Sequence, residues 1–320
     1  MAQSPDLPAD ATLADVGEFG LIQELVAVFG TDERVLIGPG DDAAVVRIRH
    51  GHVVVSTDLM VEGRHFRRDW ASAQDVGHRA AAQNLSDINA MGGAGTHLTI
   101  GLAAPADLPV AWALDFARGF AAECESVGAT VIGGDLTRAD QVVIAVTVLG
   151  ACTQAPLVRS GAQVGDVLAL TGRQGWAAGG LAVLGRGFRS PRVLVEAYRR
   201  PQPPYGAGRV AAEAGATSLI DISDGLLSEA GHLAAASGVA IDVRRADLEV
   251  PEPLHAVGAA LGADPVELVL AGGDDHALLG TFPDTASVPD GWRVVGEVRE
   301  GSGVTVDGEE HDGPTGWTHF

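Results

Sequence analysis

Lysine is absent from this chain of 320 residues, so all 21 of its basic side chains are arginine. Walker A phosphate loops and protein-kinase ATP sites each depend on a lysine, and pyridoxal phosphate attaches through a lysine Schiff base. The sequence therefore excludes all three kinds of site. If the protein handles phosphate, arginine and metal ions must neutralise its charge.

Cysteine and long apolar runs are also scarce. Cys124 and Cys152 form no CxxC pair and have no neighbouring histidine, so we interpret both as buried apolar residues rather than zinc ligands. No apolar run reaches the ~18 residues of a membrane helix. The N-terminal segment lacks the basic region and apolar region of a secretory signal. We therefore expect a cytoplasmic protein that does not span a membrane.

Acidic residues outnumber basic ones by 42 to 21, which gives a formal net charge of −21. Nucleic acids and anionic membranes bind to cationic surfaces, so this charge argues against both as partners. It does not exclude nucleotides, because a bound divalent ion can invert the field of nearby carboxylates. The length accommodates two domains, and the strand and helix pattern restarts soon after residue 155.

Six short segments each place aspartate beside glycine, serine or threonine. They are Gly40-Asp41-Asp42, Ser56-Thr57-Asp58, Asn84-Leu85-Ser86-Asp87, Gly133-Gly134-Asp135, Asp221-Ile222-Ser223-Asp224-Gly225 and Gly272-Gly273-Asp274-Asp275. Mg²⁺ is usually held by a few carboxylates together with substrate phosphates. One such segment is common in ordinary turns, but independent turns would not repeat one composition six times. The set indicates magnesium-held phosphate chemistry.

In the first half, the runs 43–48 and 52–56 predict a β-hairpin with an acidic motif at each outer end. A helix is predicted over 73–90, where Asn84 and Asp87 share one face. Asn and Asp disfavour helix interiors, so either metal binding or a buried hydrogen-bond network would explain them. Gly133-Gly134-Asp135 follows a predicted strand, where glycine would let a phosphate approach the backbone.

In the second half, Asp221-Ile222-Ser223-Asp224-Gly225 joins a predicted strand at 218–222 to a helix over 226–236. Metal binding is one interpretation of this segment. The other is that Ser223 or Asp224 caps the helix. Gly272-Gly273-Asp274-Asp275 leads into a further strand.

Together these motifs resemble the thiamine-monophosphate kinases of the aminoimidazole-ribotide-synthetase-like superfamily along nearly the whole chain. Further landmarks of the resemblance are Glu62-Gly63-Arg64-His65-Phe66, Thr137-Arg138, Arg159-Ser160-Gly161-Ala162 and Gly316-Trp317-Thr318-His319-Phe320. The resemblance implies an α/β (α+β) fold of two domains, each a mixed β-sheet covered by helices. Residues 1–155 would form a metal-binding, ATP-binding and dimerisation domain, and residues 156–320 would complete the active site.

The resemblance also implies a homodimer that converts thiamine phosphate and ATP to thiamine diphosphate by direct in-line transfer assisted by several Mg²⁺ ions. No residue would act as a general base. The implied metal ligands are Asp42, Ser56, Thr57, Asp58, Asp87, Asp135, Asp221 and Asp224. The implied ATP contacts are Gly134, Asp135, Arg159 and Ser223. The implied thiamine-phosphate contacts are His65, Asp274 and Trp317.

One position departs from the family, which usually has glutamate where this chain has Asp274, so that contact would be one methylene shorter. Without the resemblance, a lone histidine such as His65 is more often structural than a substrate contact, and Trp317 is a core residue as readily as a substrate contact. Two other functions stay open. One is another enzyme of the superfamily, although selenophosphate synthetases usually carry an N-terminal lysine and a catalytic cysteine or selenocysteine, neither of which is found here. The other is a protein that binds divalent ions or nucleotides without turnover.

Overall fold

Three β-sheets, of two, four and six strands, and their flanking helices are seen in the computed structural model, which describes residues 8, 11–29, 33, 35–37, 45–46, 52–262 and 264–317. Two units can be distinguished, Met1–Ile88 with Gly95–Thr153, and Asn89–Ala94 with Gln154–Phe320. The predicted fold class, mixed sheets covered by helices, is confirmed. None of the helices in these described ranges has the length and apolar character needed to cross a membrane.

Within its described residues, the first half of the chain supplies a two-stranded sheet, a four-stranded sheet and three helices. Its elements in order are α1 (Leu13–Phe29), β1 (Val35–Ile37), β2 (Val45–Val46), β3 (His52–Val61), α2 (Ala73–Ala90), β4 (Ala94–Ala104), α3 (Val110–Val127), β5 (Thr130–Arg138) and β6 (Val143–Cys152). The order of the four-stranded sheet is β3-β6-β4-β5, with β3 antiparallel to β6 and β4 parallel to β5. Strands β3 and β5 are therefore its two outer strands.

Helix α2 matches the predicted helix over 73–90, and its sequence explains both ends. Ser72 and Asp75 form a reciprocal capping pair, because each side chain accepts the backbone N–H of the other at 3.2 and 3.0 Å. Gly92 ends the turn after the helix with a φ of 73°. At Gly77, a Cβ atom would lie 2.0 Å from the carbonyl oxygen of Phe116, so the backbones of α2 and α3 are in direct contact.

The predicted hairpin of 43–48 and 52–56 is wrong in its described part. Val45–Val46 pairs antiparallel with Val35–Ile37, whereas β3 pairs with β6 over its full length. Both segments are strands, as their β-branched residues indicate. The pairing error arises because alternation identifies a strand without identifying its partner.

The second half forms a six-stranded sheet. Its elements are β7 (Val167–Thr171), α4 (Trp176–Gly185), α5 (Arg192–Arg199), α6 (Ala207–Glu213), β8 (Ser218–Asp221), α7 (Leu226–Ser237), β9 (Ala240–Val243), α8 (Glu252–Leu261), α9 (Pro265–Leu270), β10 (Leu278–Phe282), β11 (Arg293–Arg299) and β12 (Gly303–Val306), with short 3₁₀ helices at Arg245–Asp247 and Thr285–Ser287. The strand order is β12-β9-β11-β7-β10-β8.

Three loops of this sheet meet at one end. Leu278, the first residue of β10, pairs with Thr171 at the end of β7 and with Asp221 at the end of β8. The loops 172–175, 222–225 and 272–277 therefore leave the sheet side by side. Apolar residues below them, including Leu219 and Phe282, are buried in the core. The antiparallel register thus brings two of the aspartate-rich motifs together.

Candidate functional site

In the first unit, β3 and α2 bring two predicted metal ligands into contact. The Ser56 hydroxyl donates to Oδ2 of Asp87 at 2.5 Å. Asp58 lies on the same face of β3 as Ser56, because side chains alternate along a strand. Thr57 therefore lies on the opposite face, where its hydroxyl contacts that of Thr147 at 2.8 Å. If Thr57 contributes a ligand to a metal ion on the Ser56 face, that ligand is therefore a main-chain oxygen and not the hydroxyl.

The helical motif 84–87 contains buried polar atoms that lack partners. Asn84 donates through Nδ2 to the carbonyl oxygen of Ala80 at 2.9 Å. Its Oδ1 and the Ser86 hydroxyl are buried and have no hydrogen-bond partner among the described residues. An unsatisfied buried oxygen costs about 1–3 kcal/mol. These two oxygens therefore mark the surroundings of Asp87 as a place where a further polar group would be stabilised.

Gly133-Gly134-Asp135 lies inside strand β5 rather than after it, which corrects the predicted loop. A Cβ atom on Gly134 would lie 2.0 Å from the carbonyl oxygen of Ile100. The close approach of β4 and β5 therefore requires glycine here, without any phosphate. Asp135 is exposed.

The predicted acidic residues of the first unit do not converge on one point within the described structure. Asp58 and Asp135 lie on the two outer strands, which are roughly 14 Å apart at ~4.8 Å per strand step. Among the described ranges, no three side chains of His, Cys, Asp or Glu lie close enough to hold a metal ion. Asp42 lies outside the described residues.

His65 and Arg159 occupy surface loops of different units. Nδ1 of His65 accepts the backbone N–H of Val61 at 3.0 Å, so the proton of the neutral ring lies on Nε2. Arg159 is exposed, and its carbonyl oxygen accepts the hydroxyl of Ser237 at 3.2 Å. The same hydroxyl oxygen accepts the N–H of Gly161 at 3.1 Å, which holds the loop in place.

In the second unit, the turn from Asp221 to Gly225 follows β8. Oδ2 of Asp221 lies 3.1 Å from Nδ1 of His276, and both side chains are buried. His276 was not predicted as a site residue, although it directly follows the Gly272–Asp275 motif. A ring nitrogen that hydrogen-bonds to a carboxylate fixes the orientation of that carboxylate. The pair therefore holds one predicted metal ligand in a defined position.

Helix α7, which follows the turn, is capped by neither Ser223 nor Asp224. Gly225 is its N-cap residue and no side chain makes the usual cap hydrogen bond. Instead Glu229 accepts the N–H groups of Gly225 at 2.9 Å and of Asp224 at 3.3 Å. Burial raises the pKa of Glu229 to about 8, with the carboxylates of Asp224 and Asp221 adding to the effect. The capping interpretation of the motif is thus wrong.

The loop 272–277 presents Asp274 and buries Asp275. Asp274 has a φ of 66°, a left-handed conformation that aspartate tolerates better than most residues. Asp275 accepts the N–H of Ala177 at 2.9 Å, at the start of α4. Burial raises the pKa of Asp275 to about 7, although hydrogen bonds from Ala177 and Trp176 lower it.

Trp317 is not a core residue, because 57% of it is exposed. Its backbone N–H donates to the carbonyl oxygen of Asp224 at 3.0 Å. The aromatic ring is therefore held next to the turn while its surface stays accessible. Asp221, Ser223, Asp224, Asp274 and Trp317 all belong to this one end of the second unit.

Comparisons with known proteins find one family model in the first half of the chain and relatives along nearly its full length. A family model for AIR synthase related proteins, N-terminal domain, matches residues 40–152. A thiamine-monophosphate kinase of Mycobacterium tuberculosis is 46% identical over 312 residues, which cover 97% of this chain and 93% of that protein. The thiamine-monophosphate kinase of Stenotrophomonas maltophilia K279a is similar in structure, with a TM-score of 0.80 at 31% identity over 92% of this chain and 98% of that one. AaThiL complexed with AMPPCP and TMP gives a TM-score of 0.79 at 31% identity over 97% and 99% of the two chains.

Proposed function

The chain belongs to the thiamine-monophosphate kinase family, and on that premise we propose that it phosphorylates thiamine phosphate with ATP to form thiamine diphosphate. The observation that carries this proposal is the 46% identity to the mycobacterial enzyme over 97% of the chain. The similarity to AaThiL complexed with AMPPCP and TMP supports both substrates. The protein is thus a transferase of thiamine biosynthesis that uses ATP as co-substrate.

Magnesium is the cofactor that the side chains fit. Ser56, Asp58 and Asp87 in the first unit, and Asp221 and Asp224 in the second, offer only oxygen atoms, which Mg²⁺ prefers. The unsatisfied buried oxygens of the 84–87 motif support this choice. Several bound Mg²⁺ ions would supply neutralisation of the two phosphate substrates and of the leaving ADP oxygen. Thr57, Asp135 and Asp42 complete the proposed ligands.

Direct in-line transfer follows from the chemistry of the acceptor. The attacking atom is a phosphate oxygen, which is already anionic at neutral pH, so no side chain needs to remove a proton. The residues contribute by positioning the two phosphates and by excluding other orientations. Accordingly, we assign no general base and no phosphorylated side chain to this protein.

The remaining contacts are assigned by chemistry and exposure. Ser223 is exposed and takes no part in capping α7, which leaves its hydroxyl available to ATP. Arg159 offers a planar fork to phosphate oxygens, and the exposed ring of Trp317 offers an aromatic face to the cationic thiazolium. The proposed sets are Gly134, Asp135, Arg159 and Ser223 for ATP, and His65, Asp274 and Trp317 for thiamine phosphate.

A homodimer formed through the first unit is supported by one apolar face of the four-stranded sheet. Val53, Val55 and Leu59 are 44%, 58% and 57% exposed and share the face of β3 opposite Ser56. Exposed apolar patches of this kind mark interaction surfaces. We place the dimer interface there and assign metal binding, ATP binding and dimerisation to residues 1–155, with residues 156–320 completing the active site. Dependence on ATP supports the cytoplasm as the compartment.

A direct assay tests the proposed function. The purified protein is incubated with ATP, excess Mg²⁺ and thiamine phosphate, and thiamine diphosphate is measured by chromatography after oxidation to its fluorescent derivative. We expect stoichiometric formation of thiamine diphosphate and ADP, and none with chelator or with thiamine in place of thiamine phosphate. ATP binding without product would instead support the non-catalytic alternative.

A further inference from the structure

Asp274 and Trp317, two of the proposed thiamine-phosphate contacts, are hydrogen-bonded through their main chain to the turn at Ser223–Asp224. That turn is proposed to bind metal and nucleotide. The N–H of Asp274 donates to the carbonyl oxygen of Ser223 at 2.8 Å, and the N–H of Trp317 donates to the carbonyl oxygen of Asp224 at 3.0 Å. The two acceptors are consecutive residues. Thus one peptide segment receives a hydrogen bond from each of two separate stretches of chain.

Glycines make these contacts close. A Cβ atom on Gly273 would lie 2.0 Å from the carbonyl oxygen of Ser223, and one on Gly316 would lie 2.8 Å from the carbonyl oxygen of Asp224. Gly225, in turn, faces the carbonyl oxygen of Thr315. These backbone segments are in van der Waals contact. Because such close packing leaves no free volume between them, one segment cannot shift without moving the others.

The turn is also held from its other side. The N–H of Ile222 donates to the carbonyl oxygen of Ala277 at 2.8 Å, and the N–H of His276 donates back to the carbonyl oxygen of Ile222 at 3.2 Å. Ser228, at the start of α7, donates its N–H to Thr315 at 3.1 Å. A ligand that fixes Ser223 and Asp224 therefore also restricts the backbone of Asp274 and Trp317.

The hydrogen-bonded segments 222–225, 273–277 and 315–317 are called the backbone joint below. We propose that this joint couples the two substrates, so that magnesium–nucleotide binding at Ser223–Asp224 and thiamine-phosphate binding at Asp274 and Trp317 strengthen each other. The inference rests on the proposed function and adds to it that Gly316 is a positioning residue. Thermodynamic linkage requires the factor to be the same in both directions. Ordering the joint once, for whichever substrate binds first, lowers the entropic cost for the second.

Titration calorimetry tests the coupling with AMPPCP, which cannot transfer its terminal phosphate. The dissociation constant of Mg²⁺–AMPPCP is measured without and with saturating thiamine phosphate, for the natural protein, for Gly316→Ala and for Gly185→Ala. The last is the control, because a Cβ on Gly185 would have no atom of the described residues within 4 Å. We expect thiamine phosphate to tighten nucleotide binding about fivefold or more in the natural protein and the control. In Gly316→Ala the factor should fall towards one.

A second measurement needs no variant. Hydrogen exchange of the natural protein with Mg²⁺–AMPPCP alone should slow in the peptides that contain Asp274 and Trp317, although thiamine phosphate is absent. Unchanged exchange in both peptides, no coupling in the natural protein, or equal coupling in Gly316→Ala would each overturn the inference. If the protein phosphorylates thiamine phosphate but shows no coupling, only the proposed coupling is refuted. If it does not phosphorylate thiamine phosphate, the proposed function is refuted.

Discussion

Asp87 is the proposed metal ligand whose surroundings are best defined. It lies on α2, accepts the Ser56 hydroxyl and belongs to the 84–87 motif, in which two buried oxygens lack partners among the described residues. Asp87→Asn keeps an acceptor for Ser56 but removes the charge. We expect kcat to fall by about 100-fold or more, while the metal-free protein stays as stable or becomes more stable, because active-site charges oppose stability. A steady-state assay and thermal melts in chelator measure both effects.

Asp115→Asn is the matched control for Asp87→Asn, since it makes the same chemical change at a partly exposed position on α3, where Asp115 pairs with Arg118. Its kcat should be close to that of the natural protein. The metal assignment of Asp87 would be contradicted by a clearly lowered melting temperature together with near-normal kcat. That outcome would make Asp87 a structural acceptor within the helix.

Asp275 makes stability depend on pH. Its pKa in the folded protein is about 7 against an ordinary value of 3.8, because it is buried. The folded protein thus retains a proton that the unfolded chain releases as the pH rises between these values, and stability falls over this interval at up to about 1.4 kcal/mol per pH unit. Asp275→Asn keeps an acceptor for Ala177 and removes the titration. Urea unfolding at pH 5 and pH 7 should show a smaller loss of stability in the variant.

Asp290→Asn, at an exposed position, controls for the loss of one charge and should retain the pH dependence of the natural protein. The same dependence in Asp275→Asn would show that Asp275 is ionised in the folded protein. Its burial would then be compensated by the N–H donors at the start of α4, which stabilise the charged form.

Strand β5 depends on one glycine of an adjacent pair. A Cβ at Gly134 would lie 2.0 Å from the carbonyl oxygen of Ile100, whereas a Cβ at Gly133 would meet, among the described residues, only Thr99 at 4.0 Å. Gly134→Ala should therefore force β4 and β5 apart and cost about 1–3 kcal/mol or more of stability. Gly133→Ala should change stability much less. Chemical unfolding of the two variants measures the difference, and equal losses would contradict the tight β4–β5 packing.

Local signals predicted the elements well and their partners poorly. Helix α2 is predicted because an Ala-rich, largely apolar stretch ends at Gly92-Gly93, so that its signals lie within one short segment of sequence. The partner of β3 lies about 90 residues further along the chain, and strand alternation contains no information about that distance. The sequence also placed Gly133-Gly134-Asp135 outside β5, since glycine usually interrupts a strand.

The site residues missed by sequence reasoning act through contacts that only the fold creates. His276 reaches Asp221 because β10 and β8 are neighbours, and Glu229 reaches Gly225 through one turn of α7. The spacing of Glu229, four residues after Gly225, matches no general sequence motif that would have predicted this contact. His276, by contrast, directly follows an aspartate-rich segment, which was a usable signal. Resemblance to the kinase family named the ligand types, but none of these supporting residues.

The proposed metal ligands and substrate contacts of this lysine-free chain are distributed over both of its units. The proposed acidic ligands that the structure describes lie on β3, α2 and β5 in one unit and on the turn 221–224 at the end of β8 in the other. A net charge of −21 would repel two polyanionic substrates. We therefore infer that metal binding must precede or accompany substrate binding, because the carboxylates alone offer phosphate no favourable field.

The exposed apolar face of β3 leads to a prediction about the oligomeric state of the whole molecule. Leu59 lies on the exposed apolar face with Val53 and Val55, and a second copy would bury all three. Leu59→Arg places a charge in that interface, which costs far more when buried than when exposed. Light scattering after size exclusion should give about twice the chain mass of 32.7 kDa for the natural protein and one chain for the variant. Phe188→Arg, an equally exposed apolar position in the second unit, should leave the dimer intact. A natural protein that runs as a single chain at high concentration would contradict the proposed interface.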